Sequence, residues 1–198
     1  MLGFPQKSEL RKPLYKKAIF EKLQLNTAQQ EHVDADISRL YIVNEISTYS
    51  VGIVAGQSVK AFHVIHVILK RKDYDNRTIT MLFRLIDNPI ILVLEYEGIQ
   101  RVAIFHEKLF QTEWKASGFS YQLKGLDLDA VWNNLIVEIG DIPFVEGKNI
   151  DERIEIAEKR KRILAEIARL EKLARAEKQP KKKFELVQKV NDLRKELE

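Results

Sequence analysis

Lys70 ends an apolar run, Ile68-Leu69-Lys70, and two carboxylates, Asp73 and Asp75, follow it closely. A lysine closing a buried strand beside paired carboxylates is equipment for phosphodiester hydrolysis. The carboxylates hold Mg²⁺, and the metal activates water and neutralises the phosphate. If the core is nuclease-like, the site has a glutamate two residues before the lysine and an aspartate on the preceding strand. Ile68 stands at the first position, and the preceding run, Val51 to Ala55, has no acid. Glu95 and Glu97 are available as displaced ligands, but they also read as solvated hairpin positions, and Asp75 reads as a helix N-cap. Lys70, Asp73 and Asp75 are therefore weak catalytic candidates, with Mg²⁺ needed only under that alternative. The body is expected to be non-catalytic, because without metal ligands the developing charge has nothing to stabilise it.

Other chemistries find less. His63 and His66, three apart on a strand, point to opposite faces and cannot share a metal. His66 and His106 could meet only if their strands were neighbours. The absence of cysteine excludes a disulfide framework, a Cys-based zinc site and a thiol nucleophile, and fits a cytoplasmic protein. No Gly-rich phosphate loop and no serine elbow occur. No metal site and no resident cofactor are expected. Trp114 and Trp132 read as core residues. Lys70, Arg71, Lys72 and Arg77, with Tyr74 among them, form the one basic and aromatic cluster of the body. Together with Lys181, Lys182 and Lys183 they are the candidate nucleic-acid contacts. The alternative reading is a solvated strand end and a solvated tip.

The elements that must position these residues follow from the apolar spacing. Two helices are expected over 14–25 and from a Thr27 to Gln30 capping box to about Arg39. Strands are expected at 40–46, 51–55 and 59–70. The last of these is apolar on both faces, as at the centre of a covered sheet. A helix capped near Asp75 carries Ile79, Leu82, Phe83 and Ile86 and stops before Pro89. Strands follow at 90–96 and 100–106, then an irregular stretch from Trp114 to Gly125. A helix capped by Asp127 carries Leu128, Val131, Trp132, Leu135, Ile136 and Ile139 on one face. The longest apolar run is far too short for a membrane span.

Residues 150–198 differ in kind. They contain no glycine, and their 15 basic and 11 acidic residues hold the whole net charge of +4. Ile163, Ile167 and Leu170, then Leu186, Val190 and Leu193, repeat at heptad spacing. Pro180 suits the first position of a second helix. This is a coiled-coil-like helical hairpin. Its seam residues are the candidate interface for a partner protein or for a second copy of the chain.

Several segments resemble the bacterial domain-of-unknown-function 4391 family. They are Leu2-Gly3-Phe4-Pro5, Lys16 to Glu21, Leu69 to Asp75, Leu92 to Tyr96, Thr112-Glu113-Trp114, Gly125 to Asp129 and Arg175 to Pro180. The resemblance covers nearly the whole chain. It implies a subunit acting on or near DNA, beside helicases and DNA methyltransferases in restriction or phage-defence loci. It also implies a glutamate where this chain has Ile68.

The expectation is thus an α+β (α/β) fold: a body over 1–149 with a mixed sheet flanked by helices, then a helical arm over 150–198. The element order of the body is also that of the restriction-endonuclease-like core, an analogy that does not fix function. The functional expectation is a non-catalytic accessory subunit that docks a helicase or methyltransferase through the arm. The alternative is a Mg²⁺-dependent nuclease or a degenerate, DNA-binding relative of one.

Overall fold

The computed structural model describes residues 2–197. The chain divides into two compact units, Met1–Asp141 and Ile142–Glu198. Residues 142–149 thus belong with the helices that follow them.

The first unit is built on a six-stranded mixed sheet whose strands lie in chain order. They are β1 (Glu9–Leu14), β2 (Ile37–Ser47), β3 (Ala61–Leu69), β4 (Ile90–Tyr96), β5 (Ile99–His106) and β6 (Lys108–Gln111). Only β3 and β4 run parallel; every other pair is antiparallel. The helices of this unit are α1 (Lys16–Lys22), α2 (Thr27–Asp36), α3 (Thr48–Val51), α4 (Asn76–Leu82) and α5 (Leu128–Ile139).

β3 and β4 are apolar on both faces because both faces are covered. Ile65, Val67, Leu69, Leu92 and Leu94 pack with Val33 of α2 and with Ile79 and Leu82 of α4 in one cluster. On the other face Phe62 meets Phe4 edge-on at 6.3 Å and Trp132 of α5 at 5.2 Å. The parallel pairing of β3 and β4 requires a crossover, and α4 supplies it. Asp75 starts that helix by accepting a bond from the Arg77 amide at 2.8 Å.

Several expected elements are displaced. The capping box of α2 lies one residue earlier: Asn26 accepts from the Gln29 amide at 2.9 Å, and the Gln29 side chain accepts from the Asn26 amide at 3.0 Å. α2 ends at Asp36, because β2 begins at once with the buried Ile37. The strand expected at 51–55 does not form. Ser47 and Ser50 make a capping box for the single turn α3, Gly52 closes it at φ 73°, and Val54 adds only an isolated bridge to Asp127. Two edge strands carry no alternating pattern. β1 (Glu-Leu-Arg-Lys-Pro-Leu) is exposed at five of its six positions, and its charges and Pro13 suit a free edge. β6 follows a reversal at Glu107, φ 56°. The irregular stretch after it and the Asp127-capped α5 are as expected, with the cap bond to the Ala130 amide at 2.8 Å.

One long-range clasp fixes α5 to the segment before β3. The Asp129 carboxylate accepts amide bonds from Gln57 (2.7 Å), Ser58 (3.2 Å) and Val59 (2.6 Å). The Val59 bond first, then those from Ser58 and Gln57, hold its carboxyl below the usual carboxylate range. The clasp requires Gly56, because a Cβ there would lie 2.3 Å from Asp129 side-chain atoms and 2.7 Å from its amide nitrogen.

In the second unit Asn149 and Glu152 form a reciprocal capping box for α6 (Ile150–Ala176). Pro180 is the first residue of α7 (Pro180–Lys195). Ile163, Ile167, Leu170 and Val190 are buried together, with Leu186, Leu193 and Leu197 packed against them. No helix among the described residues is long and apolar enough to cross a membrane.

Gly56→Ala should lower the thermal midpoint more than Gly52→Ala. The first collides with Asp129. The second meets open space and costs only the left-handed backbone penalty, about 1 kcal/mol. Differential scanning fluorimetry of the two variants checks the order.

Candidate functional site

The cationic run after β3 is held by the fold. Lys70 donates from Nζ to the Asp34 carbonyl at 2.5 Å. Arg71 binds the Asp36 carboxylate at 2.5 Å through both Nε and Nη2. The Asp36 side chain has no solvent exposure. Its other oxygen accepts the Asp75 amide at 3.1 Å, and its backbone carbonyl accepts the Lys70 amide at 2.8 Å. Lys72 lies over the Trp114 ring at 5.9 Å, where Arg101 also stacks at 5.0 Å. Arg101 further donates to the Tyr74 hydroxyl at 3.2 Å and to the Thr112 carbonyl. Burial raises the Tyr74 pKa, and Arg101 partly offsets the shift.

Of the four expected contacts in the body, Arg77 has a side chain that is 95 % exposed, 3.6 Å from Asp75. The sequence pattern missed Asp36 and Arg101. Both are single polar residues whose partners are distant in the chain, so no local spacing marks them.

These contacts do not suit Mg²⁺. Asp75 already caps α4 and faces Arg77. Asp34 pairs with Lys16 at 2.7 Å. Position 68 is apolar. Among the described residues no three His, Asp or Glu side chains gather as a ligand set. Lys70 and Asp75 are used structurally, and Asp73 is exposed.

The histidines separate as their spacing requires. β4 runs between the strands of His66 and His106, so the two do not neighbour. His66 Nε2 lies 2.9 Å from Glu95 Oε2, which also accepts a 2.9 Å bond from Gln100 Nε2. Neither Glu95 nor Gln100 is a free hairpin group, although both retain some exposure. His63 lies on the opposite face, buried, with Nδ1 unpartnered and Nε2 3.9 Å from Glu45. Burial lowers the His63 pKa, and Glu45 opposes this weakly.

In the hairpin the structure uses the expected interface residues internally. Ile163, Ile167, Leu170 and Val190 are each less than a tenth exposed, and Leu186 and Leu193 pack against them. They are the seam between α6 and α7 and not a free surface, because each helix is the other's nearest apolar partner. The large apolar side chains left open on these helices are Ile156, Leu164, Leu173, Phe184 and Val187, with Phe184 69 % exposed. Leu173, Ala176 and Leu186 floor a groove edged by Glu177, Lys182, Glu185 and Lys189. Lys181, Lys182 and Lys183 are exposed on the first turn of α7.

A mixed sheet covered by helices, with a helical hairpin as the second unit, defines an α+β protein. The family model "Domain of unknown function (DUF4391)" matches residues 2–197, and the chain belongs to that family. Comparison with curated proteins and with solved structures gives no match.

Arg71→Ala should destabilise the first unit by about 2 kcal/mol. Breaking a buried pair costs ~3–5 kcal/mol, and the half-exposed guanidinium reduces this. The urea midpoint measures it. His63 supplies a pH test. Its folded pKa lies below the unfolded value of 6.5, so the unfolded chain binds the proton more tightly. Stability should be full above about pH 6.5 and fall as the pH drops below it. Urea midpoints at about pH 5.5 and 7.5 should differ less in His63→Leu than in the parent chain.

Proposed function

We propose that this chain is a non-catalytic interaction subunit whose helical hairpin docks a protein partner. One observation carries the reading: the α6–α7 seam is complete in itself, yet Leu164, Leu173, Phe184 and Val187 stay exposed on the same two helices. A hairpin needing only its own stability would have polar residues there. The groove beside Leu173 and Leu186 has an apolar floor and charged edges of both signs, which suits an amphipathic helix. The family resemblance points to a helicase or DNA methyltransferase subunit of a bacterial restriction or phage-defence system as the partner. A cytoplasmic location accords with that role. The contacts of Lys70, Arg71 and Asp75 support a structural role for the segment that a nuclease would use.

Co-purification with products of neighbouring genes tests the proposal. Leu173→Ser with Phe184→Ser should remove the partner while leaving the far-ultraviolet circular dichroism unchanged, because both side chains are solvent-facing. Ile167→Asp should remove the partner and also reduce helicity, because it places a charge in the seam. Retention of the partner by the double variant would refute the docking surface.

A further inference from the structure

The first unit uses many of its cations internally. Lys16 pairs with Asp34, Lys60 donates to the Gly56 carbonyl, and Arg77 faces Asp75. Lys70, Arg71, Lys72 and Arg101 are held by the contacts described above. Lys108 and Lys115 rest over the Phe110 and Phe119 rings. The cations with no hydrogen bond, ion pair or ring partner among the described residues are differently placed. Lys7, Arg11, Lys12, Lys17, Lys22 and Arg39 gather about β1, and Arg84 and Lys124 lie elsewhere in the unit. Residues 1–141 carry no net charge, yet 7–22 hold six basic and two acidic residues, a local excess of four. The free positive charge of this unit is therefore concentrated at one edge of its sheet.

The register shows how these residues come together. β1 is the outermost strand, and β2 is its one neighbour in the sheet. Pro13 opposes Tyr41 and Leu14 opposes Leu40. Tyr15 is still extended (φ −79°, ψ 131°), so it comes level with Arg39. Arg11 lies four residues before that level, ~13 Å along the strand. Lys17 follows in the first turn of α1, which leaves β1 directly. Arg11, Lys12, Tyr15, Lys17 and Arg39 are all exposed, Tyr15 at 72 %. The two acids of the stretch, Glu9 and Glu21, pair with none of them. A free edge strand needs charge to keep off a second strand, but either sign serves that purpose. Edge protection therefore does not account for an excess of cations with no partner.

We propose that the β1 edge binds the phosphodiester backbone of a nucleic acid, with Arg11 and Arg39 as the principal phosphate contacts and Lys12 and Lys17 adding charge. An unpaired guanidinium offers a planar fork of donors that matches a phosphate, and neither arginine has to give up a protein partner to use it. The ~13 Å between their levels covers about four phosphates of one strand at ~3.4 Å of axial rise each. The contacts are to the backbone, so the binding is independent of sequence. At an edge, a ligand lying along the strand reaches side chains of both sheet faces, which brings Lys12 within the site. The inference stands apart from the hairpin reading, since it uses none of the hairpin's residues.

The test is fluorescence anisotropy on the full chain at about 50 and 200 mM salt. The probes are oligo-dT of about 12 nucleotides and a DNA duplex of that length. Saturable binding that weakens with salt is expected; either probe supports the proposal, and the tighter one identifies the form of nucleic acid. Arg11→Ala combined with Arg39→Ala should weaken binding about tenfold and make the salt slope shallower by about two. Arg84→Ala combined with Lys124→Ala removes the same charge from elsewhere on the unit and should bind as the parent does. All four side chains are exposed, so both double variants keep the thermal midpoint and separate lost binding from lost folding. Polyglutamate at equal charge should compete poorly. No saturable binding, parental affinity in the Arg11 and Arg39 double variant, or an equal loss in the Arg84 and Lys124 variant would overturn the proposal. Equal competition by polyglutamate would overturn it in favour of an acidic protein surface.

Discussion

An aspartate carboxylate with no access to water must be neutralised where it stands, and Asp36 is such a group. It sits where α2 becomes β2. Its partners are Arg71 and the Asp75 amide, and its own carbonyl receives the Lys70 amide. All three belong to the segment that leaves β3 and enters α4. One buried charge therefore fixes the start of the crossover that lets β4 lie parallel to β3. It also explains why the basic run after β3 is not a free patch. Arg71 is bound to Asp36, Lys70 reaches back to Asp34, and Lys72 covers Trp114.

The sheet separates two kinds of surface. One face is sealed by a continuous apolar cluster with α2 and α4. The other is sealed at the Phe62 end by α5, and α5 is tied to the segment before β3 through the Asp129 clasp. Beyond that, Arg39 is exposed and Tyr41, Glu95 and Gln100 keep partial exposure, while Val93 and Val102 beside them are fully buried. The hairpin shows a similar division within itself. Its inner seam is apolar and filled, while Phe184 and Leu173 remain outside. In the hairpin the surface proposed for binding is the one that internal packing leaves over.

Legibility in the sequence followed the range of the interaction. β3 and β4 were legible because being covered on both faces leaves a long apolar run. α5 and α7 were legible because Asp127 and Pro180 act within a few residues of the helix they start. The run from Val51 to Ala55 misled, because a β-branched run resembles a strand while the Ser47–Ser50 box and Gly52 turn the chain first. β1 and β6 were illegible because an edge strand needs no apolar face. The seam residues pack together inside the hairpin, but spacing alone cannot say whether a helix meets its neighbour in the chain or another protein.

By itself the sequence determined the class of fold, the central strand, the hairpin and the family, since these depend on local periodicity, capping and turn chemistry. Only the tertiary structure decided the environment of each polar side chain. It paired Arg71 with Asp36 and Arg101 with Tyr74, placed His66 beside Glu95, and brought Arg39 level with Tyr15 at the β1 edge. These partners lie tens of residues apart in the chain. Strand register and crossover direction bring them together, and no local pattern of residue types encodes either.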